Sequence, residues 1–126
     1  MLISFVIPCY NSEKTIQKVV QEISESNIPH EKEIILVNDC SSDATWNVIS
    51  EIAKTNQNIK AINFSKNFGQ HSALMAGYRE TTGDYVVSLD DDGQTPANET
   101  YKLLEEIEKG YDVDLKIIHH CMEEIY

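Results

Sequence analysis

Apolar and polar positions along the chain follow two periods that take turns. Ile3 to Ile7 is a short apolar run ended by Pro8, which predicts a buried strand. Thr15, Ile16, Val19, Val20 and Ile23 then recur at helical spacing behind Ser12, a candidate cap. The unit repeats: Glu33 to Val37 predicts a second buried strand, and Ser41-Ser42-Asp43 supplies turn and cap residues to a helix with Trp46, Ile49, Ile52 and Ala53 on one stripe. Ile59 to Phe64 alternates as a third strand, followed by the loop Ser65 to Gly69 and a helix through Ala73, Leu74, Met75, Ala76 and Tyr78 that Thr81-Thr82-Gly83-Asp84 closes. Tyr85 to Leu89, rich in β-branched residues, predicts a fourth strand running straight into Asp90-Asp91-Asp92. Thr95-Pro96 then opens a helix as cap and first-turn proline, with Leu103, Leu104 and Ile107 inward, and a fifth strand is expected within Val113 to Ile118, before His119-His120-Cys121.

Strands alternating with helices at these spacings mean βαβ units, and hence an α/β fold with a mostly parallel sheet covered on both faces. Ligands on such sheets sit beyond the carboxyl ends of the strands. Here those ends carry Pro8-Cys9-Tyr10-Asn11, Asn38-Asp39, Ser65 to Gly69, and Asp90 to Gln94, so the polar candidates converge on one edge.

Composition narrows the partners. At 126 residues, 41% hydrophobic and 25% charged, the chain has room for one domain and one core, and disorder, collagen and disulfide scaffolds are excluded. A net charge of -11 repels nucleic acid and anionic membrane surfaces, so a phosphate ligand needs a cation or local amides to be held. Cys9, Cys40 and Cys121 are odd in number and widely spaced, which fits neither a zinc site nor a disulfide framework and suggests a reducing compartment. The first residues lack the basic flank of a signal peptide, and no apolar run approaches the roughly 18 residues of a membrane span, so a soluble, cytoplasmic chain is expected.

Three adjacent aspartates at a strand end repel one another, and a divalent cation relieves that repulsion. Mg²⁺ or Mn²⁺ takes oxygen ligands and bridges one or two carboxylates to a diphosphate, which makes Asp90 or Asp92 with Gln94 a candidate hard-ion site; an isolated triplet would read as a solvated acidic turn. Asp39 ends a different strand and either accepts from a nucleobase or ribose hydroxyl or bonds local amides in its turn. Tyr10 is placed to stack on a base or to fill the core, and Asp43 reads as a charge at a helix start. Asn67-Phe68-Gly69-Gln70 precedes a helix, so its amides either receive an anion or simply start the helix. His71 carries no signal of its own, and the adjacent pair His119-His120 is poorly spaced for joint metal binding.

Taken in order, Val6-Ile7-Pro8-Cys9-Tyr10-Asn11, Val37-Asn38-Asp39-Cys40-Ser41-Ser42-Asp43-Ala44-Thr45, Asn67-Phe68-Gly69 and Leu89-Asp90-Asp91-Asp92-Gly93-Gln94-Thr95-Pro96 resemble family 2 glycosyltransferases of the GT-A fold, a Rossmann-like three-layer sandwich. The chain is most similar to the branch of dolichol-phosphate mannosyltransferase and bacterial polyprenyl-phosphate sugar transferases. The resemblance implies that Pro8, Tyr10, Asn11, Asp39, Lys66 and Gly69 hold the nucleotide, that Asp90 and Asp91 face ribose and diphosphate, and that Asp92 and Gln94 bind Mg²⁺ or Mn²⁺ with Asp90 assisting. It implies transfer of a hexose from a UDP-sugar or GDP-mannose to a polyprenyl phosphate or glycan acceptor, with inversion. The same branch would work at the inner face of the cell membrane.

Two positions depart from the branch: Ser12 stands where glutamate is common, and Lys66 where arginine is common. The resemblance runs over about residues 2 to 113 and is lost in 114–126, so a nucleotide-sugar-binding portion at 1–113 with a divergent tail is expected. No catalytic base is identified in the chain. That loss motivates the expectation of a truncated or frameshifted product, with sheet edges exposed to self-association and the alternative of a catalytically incomplete nucleotide- and metal-binding fragment. A phosphoacceptor receiver domain fails for want of an acidic pair after the first strand. A dinucleotide-binding domain fails because Gly69, Gly77, Gly83, Gly93 and Gly110 never form Gly-x-Gly-x-x-Gly.

Overall fold

Strand and helix alternate in the computed structural model, which describes residues 2–93, 99, 101, 102, 105 and 117–119. β1 (Leu2–Cys9) leads to α1 (Ile16–Glu25), β2 (Glu31–Asn38) to α2 (Thr45–Lys54), and β3 (Ile59–Asn63) to α3 (Gln70–Arg79); β4 (Tyr85–Ser88) and β5 (Ile117–His119) follow. The fifth strand expected from Val113 is seen at Ile117–His119. Residues 113–116 lie outside the described residues, as do Thr95, Pro96, Leu103, Leu104, Ile107, His120 and Cys121.

The sheet order is β3-β2-β1-β4-β5, and every pairing is parallel. The chain steps outward from β1 through β2 to β3, then returns to lay β4 on the other side of β1. Right-handed crossovers put helices on opposite faces when the direction of travel reverses. The packing agrees: Ile16, Val19, Val20 and Ile23 of α1 and Ile49 of α2 share one core with Ile3, Phe5 and Ile7. Ala73 and Leu74 of α3 share a second with Val6, Ile35 and Val37. β1 and β2 therefore present apolar side chains on both faces, which is why their sequences read as continuous apolar runs.

Three local departures from the sequence pattern have physical causes. First, α1 begins at Ile16 and not behind Ser12: the Ser12 carbonyl accepts the N–H groups of Thr15 and Ile16 at 3.1 and 3.0 Å, and its own N–H is held by Thr45 Oγ1 at 2.8 Å, so a turn precedes the helix. Second, β1 continues through Pro8 to Cys9 alongside β2. Third, its pairing with β4 stops at Val6, whose carbonyl receives the Leu89 N–H. Alternation turns Val6 and Pro8 toward β4 and Cys9 toward β2, so proline removes the donor that would have extended the β1–β4 ladder. The two strands part there, at the point where the strand order reverses.

At the opposite end of the sheet, Glu33 is buried in β2. Its carboxylate accepts Ser4 Oγ at 2.6 Å, Thr82 N–H at 2.9 Å and Thr82 Oγ1 at 3.0 Å, and Lys60 Nζ lies 3.8 Å away. This fastens the α3–β4 turn to the sheet. Among the described residues, no helix is long and apolar enough to cross a membrane.

Candidate functional site

Where β1 and β4 part, a cleft of about 480 Å³ opens, lined by Pro8, Cys9, Tyr10, Asp39, Asn67, Gly69, Gln70, Asp90, Asp91 and Asp92. The ends of β1, β2 and β4 and the start of α3 each supply part of its wall. A crevice beyond the strand ends at a reversal of strand order is where open α/β sheets bind ligands. The cleft gathers Pro8, Tyr10, Asp39, Gly69 and Asp90 to Asp92. Asn11 and Lys66 are exposed and fall outside the lining, and Gln94 lies outside the described residues.

Asp91 belongs to the wall as much as to the cleft. Its Oδ2 accepts the Tyr10 N–H at 2.9 Å and its carbonyl accepts Thr15 Oγ1 at 2.7 Å, tying the β4 end to the β1–α1 loop. Burial lifts its carboxyl above the usual carboxylate range; the bond from Tyr10 partly offsets that, and the charge of Asp92 adds to it. Asp90 is half-buried beside it and Asp92 is exposed.

Asp39 is buried, and each of its oxygens is engaged: Oδ1 accepts the Phe68 N–H at 2.7 Å and Oδ2 the Gly69 N–H at 3.0 Å. Its backbone adds two links, the N–H to the Cys9 carbonyl at 2.9 Å and the carbonyl from Asn67 Nδ2 at 3.3 Å. Amides 29 and 30 residues downstream, rather than those of its own turn, therefore take part of its hydrogen-bonding capacity, and the anion met by the Asn67-Phe68-Gly69 loop is an internal one. A carboxylate offers about four lone-pair sites, so capacity for a ligand donor remains.

Asn11 sits beside the cleft in a left-handed conformation (φ 49°), which asparagine tolerates. Its N–H reaches Ser41 Oγ at 2.9 Å, and its Oδ1 accepts the Ser42 N–H at 2.9 Å, stapling two strand-end loops together. Asp43 serves the same region: Oδ1 takes the Thr45 N–H at 2.9 Å and Oδ2 the Glu13 N–H at 3.3 Å. Tyr10 is 52% exposed, leaving its ring available at the cleft mouth and out of the core. Cys9 is buried, and burial together with the nearby Asp91 charge pushes its thiol far up, so it lines the floor as an inert group.

Reading by residue type missed the part played by Thr15 and named Gln70 only within its loop. Gln70 follows a glycine at a helix start, a position legible from the strand-end rule, whereas the contact of Thr15 with the Asp91 carbonyl spans 76 residues and leaves no local signal. Among the described residues, no group of three or more His, Cys, Asp or Glu is arranged to hold a metal ion. A magnesium-type ion does not require one, since one or two carboxylates suffice when phosphate and water complete its shell.

The profile described as Glycosyl transferase family 2 matches residues 4–125. The undecaprenyl-phosphate 4-deoxy-4-formamido-L-arabinose transferase of Proteus mirabilis is 40% identical over 114 residues, covering 88% of this chain and 35% of its own. The protein of the same name from Photorhabdus laumondii is 39% identical over the same length and coverage. The chain thus spans about a third of the length of the curated relatives it matches. Among solved structures, S. aureus TarS in complex with UDP-GlcNAc aligns with a TM-score of 0.71 at 25% identity, over 86% of this chain and 31% of that one. The mannosyltransferase PcManGT from Pyrobaculum calidifontis, in complex with GDP-Man and Mn²⁺, aligns at 0.69 with 26% identity, over 79% and 30%.

Proposed function

Because the chain belongs to glycosyl transferase family 2, we propose that it forms the donor-binding portion of a GT-A sugar transferase. The enzyme moves a hexose from a UDP-sugar or GDP-mannose to a polyprenyl phosphate or glycan acceptor in cell-surface polysaccharide or glycolipid synthesis. The observation that carries this reading is the cleft itself, which brings Tyr10, Asp39, Gly69 and the Asp90-Asp91-Asp92 run together where β1 and β4 separate. The relatives' names support the lipid-phosphate acceptor, and the bound ligands of the aligned structures support the donor.

In this reading Pro8, Tyr10, Asn11, Asp39, Lys66 and Gly69 surround the nucleoside and its phosphates, with Asp90 and Asp91 toward ribose and diphosphate. Asp92 and Gln94, assisted by Asp90, hold Mg²⁺ or Mn²⁺. The donor set fits such an ion: it is all oxygen, and three consecutive carboxylates line one cleft. When bound, the cation offsets the charge that develops on the departing nucleoside diphosphate. The side chains do the rest: Asp39 and Tyr10 orient the base, and the transfer is a single displacement with inversion. A polyprenyl phosphate is already anionic and needs little general-base help, whereas a hydroxyl acceptor needs a carboxylate base from elsewhere.

The whole protein works in the cytoplasm against the inner face of the membrane, where such an acceptor lies, and pairing of copies along a sheet edge would make it a homo-oligomer. A pentosyl donor is the second reading for the sugar, since the named relatives act on a formamido arabinose. A nucleotide- and metal-binding fragment without transfer is the second reading for the activity, since the chain spans about a third of its relatives. Calorimetry with UDP and GDP, each with and without Mn²⁺, tests the site: one nucleotide binds with metal, and Asp92→Ala abolishes the metal dependence. Binding indifferent to both metal and substitution would sink the assignment. Transfer from the matching nucleotide hexose or pentose to undecaprenyl phosphate then separates enzyme from fragment.

A further inference from the structure

We infer that Asp39 is a positioning residue that holds the Asn67–Gln70 wall of the cleft through the backbone amides of Phe68 and Gly69. The inference goes beyond the contact with the nucleoside assigned above and rests on that reading only for what the cleft binds.

α3 starts without the usual means of satisfying its first turn. Its N-cap is Gly69, no side chain caps it, and no acidic residue stands in its first turn. The two amides that lead into that turn, of Phe68 and Gly69, are met by the carboxylate of Asp39, just past the end of β2 and 30 residues before Gly69. These consecutive amides both reach this one carboxylate, and Gly69 at φ 95° then turns the chain into the helix. Asp39 holds them with bonds of 2.7 and 3.0 Å, buried from water, where a charge-assisted hydrogen bond is strongest. Asn67, Gly69 and Gln70 line the cleft, so whatever fixes this segment shapes the site.

The geometry requires a carboxylate. Asparagine has one acceptor oxygen, and its NH₂ group would face the second amide donor to donor. Asp39→Asn therefore loosens the wall before any ligand arrives. A residue that only reads the base would leave the ligand-free wall untouched.

Amide exchange and through-hydrogen-bond couplings on the isotope-labelled, ligand-free chain decide between these. In the unsubstituted chain, the Phe68 and Gly69 amides should show couplings to the Asp39 carboxylate carbon. In Asp39→Asn they should exchange about tenfold faster or more, while the Tyr10 amide, held by Asp91, keeps its rate. Absent couplings, or unchanged exchange at both amides, overturn the inference; the couplings suffice if Asp39→Asn does not fold. Calorimetry with Mn²⁺ and the nucleotide that binds completes a cycle of Asp39→Asn, Gly69→Ala and the double variant. If Asp39 acts through the wall, the double variant loses less affinity than the sum of the two single losses, and fully additive losses overturn it. Should the unsubstituted chain bind neither UDP nor GDP, the functional reading fails, and the amide measurements alone decide the role of Asp39.

Discussion

Glu33 shows how a single buried charge fixes local structure. Burial alone would raise its carboxyl, but hydrogen bonds from Ser4 and Thr82 and the charge of Lys60 outweigh that and hold it below its ordinary 4.5. A carboxyl depressed in the folded state stabilises the protein above its unfolded value, and that contribution is lost as pH falls through the folded one. Denaturation of the parent chain and of Glu33→Gln should therefore differ most at neutral pH and converge in acid. A difference that grows on acidification would refute the assignment. Nothing in the order Lys32-Glu33-Ile34 announces this role, since its partners lie 29 and 49 positions away. Asp39 is similar: sequence offered a ligand contact or local amides, and the amides proved to be those of a loop about thirty residues downstream.

At the scale of elements, α3 lies closest to the sheet where Gly77 has no side chain. A Cβ there would overlap the Val6 side chain and press on Val37 Cγ2 at 3.3 Å. Neither valine can retreat, because both are buried in the sheet centre. Gly77→Ala should thus cost about 1–3 kcal/mol by overpacking, despite the better helix propensity of alanine, and thermal or urea unfolding will measure it. A gain in stability would mean that α3 sits farther from β1 than the structure has it. The period of the pattern was enough to find α1, α2 and α3, because each buries one stripe. Their starts were harder: Ser12 looks like a cap, yet its N–H is taken by Thr45, a residue of another helix.

At the scale of the molecule, the chain carries -11 charges and gathers three of its acids at one strand end. Binding a cation and a nucleotide to the folded state alone raises stability by mass action, about 2.7 kcal/mol when ligand is at a hundred times its dissociation constant. Mn²⁺ with the matching nucleotide should raise the melting temperature more than either alone, and Asp92→Ala should remove that synergy. An equal rise in Asp92→Ala would place the cation elsewhere.

The α/β class, the parallel sheet and the edge that carries the cleft all followed from the chain's hydrophobic periods, because burial on one stripe or on two faces leaves a repeat that one residue's neighbours reveal. The four strand-end motifs were legible for the same reason: each is contiguous. Only the tertiary structure decided which of their carboxylates face the cleft and which are committed to backbone amides, as Asp39 is to Phe68 and Gly69 and Asp91 to Tyr10. Those bonds join residues about thirty to eighty positions apart, and distance in space between such residues is set by the order of strands in the sheet, which no local pattern encodes.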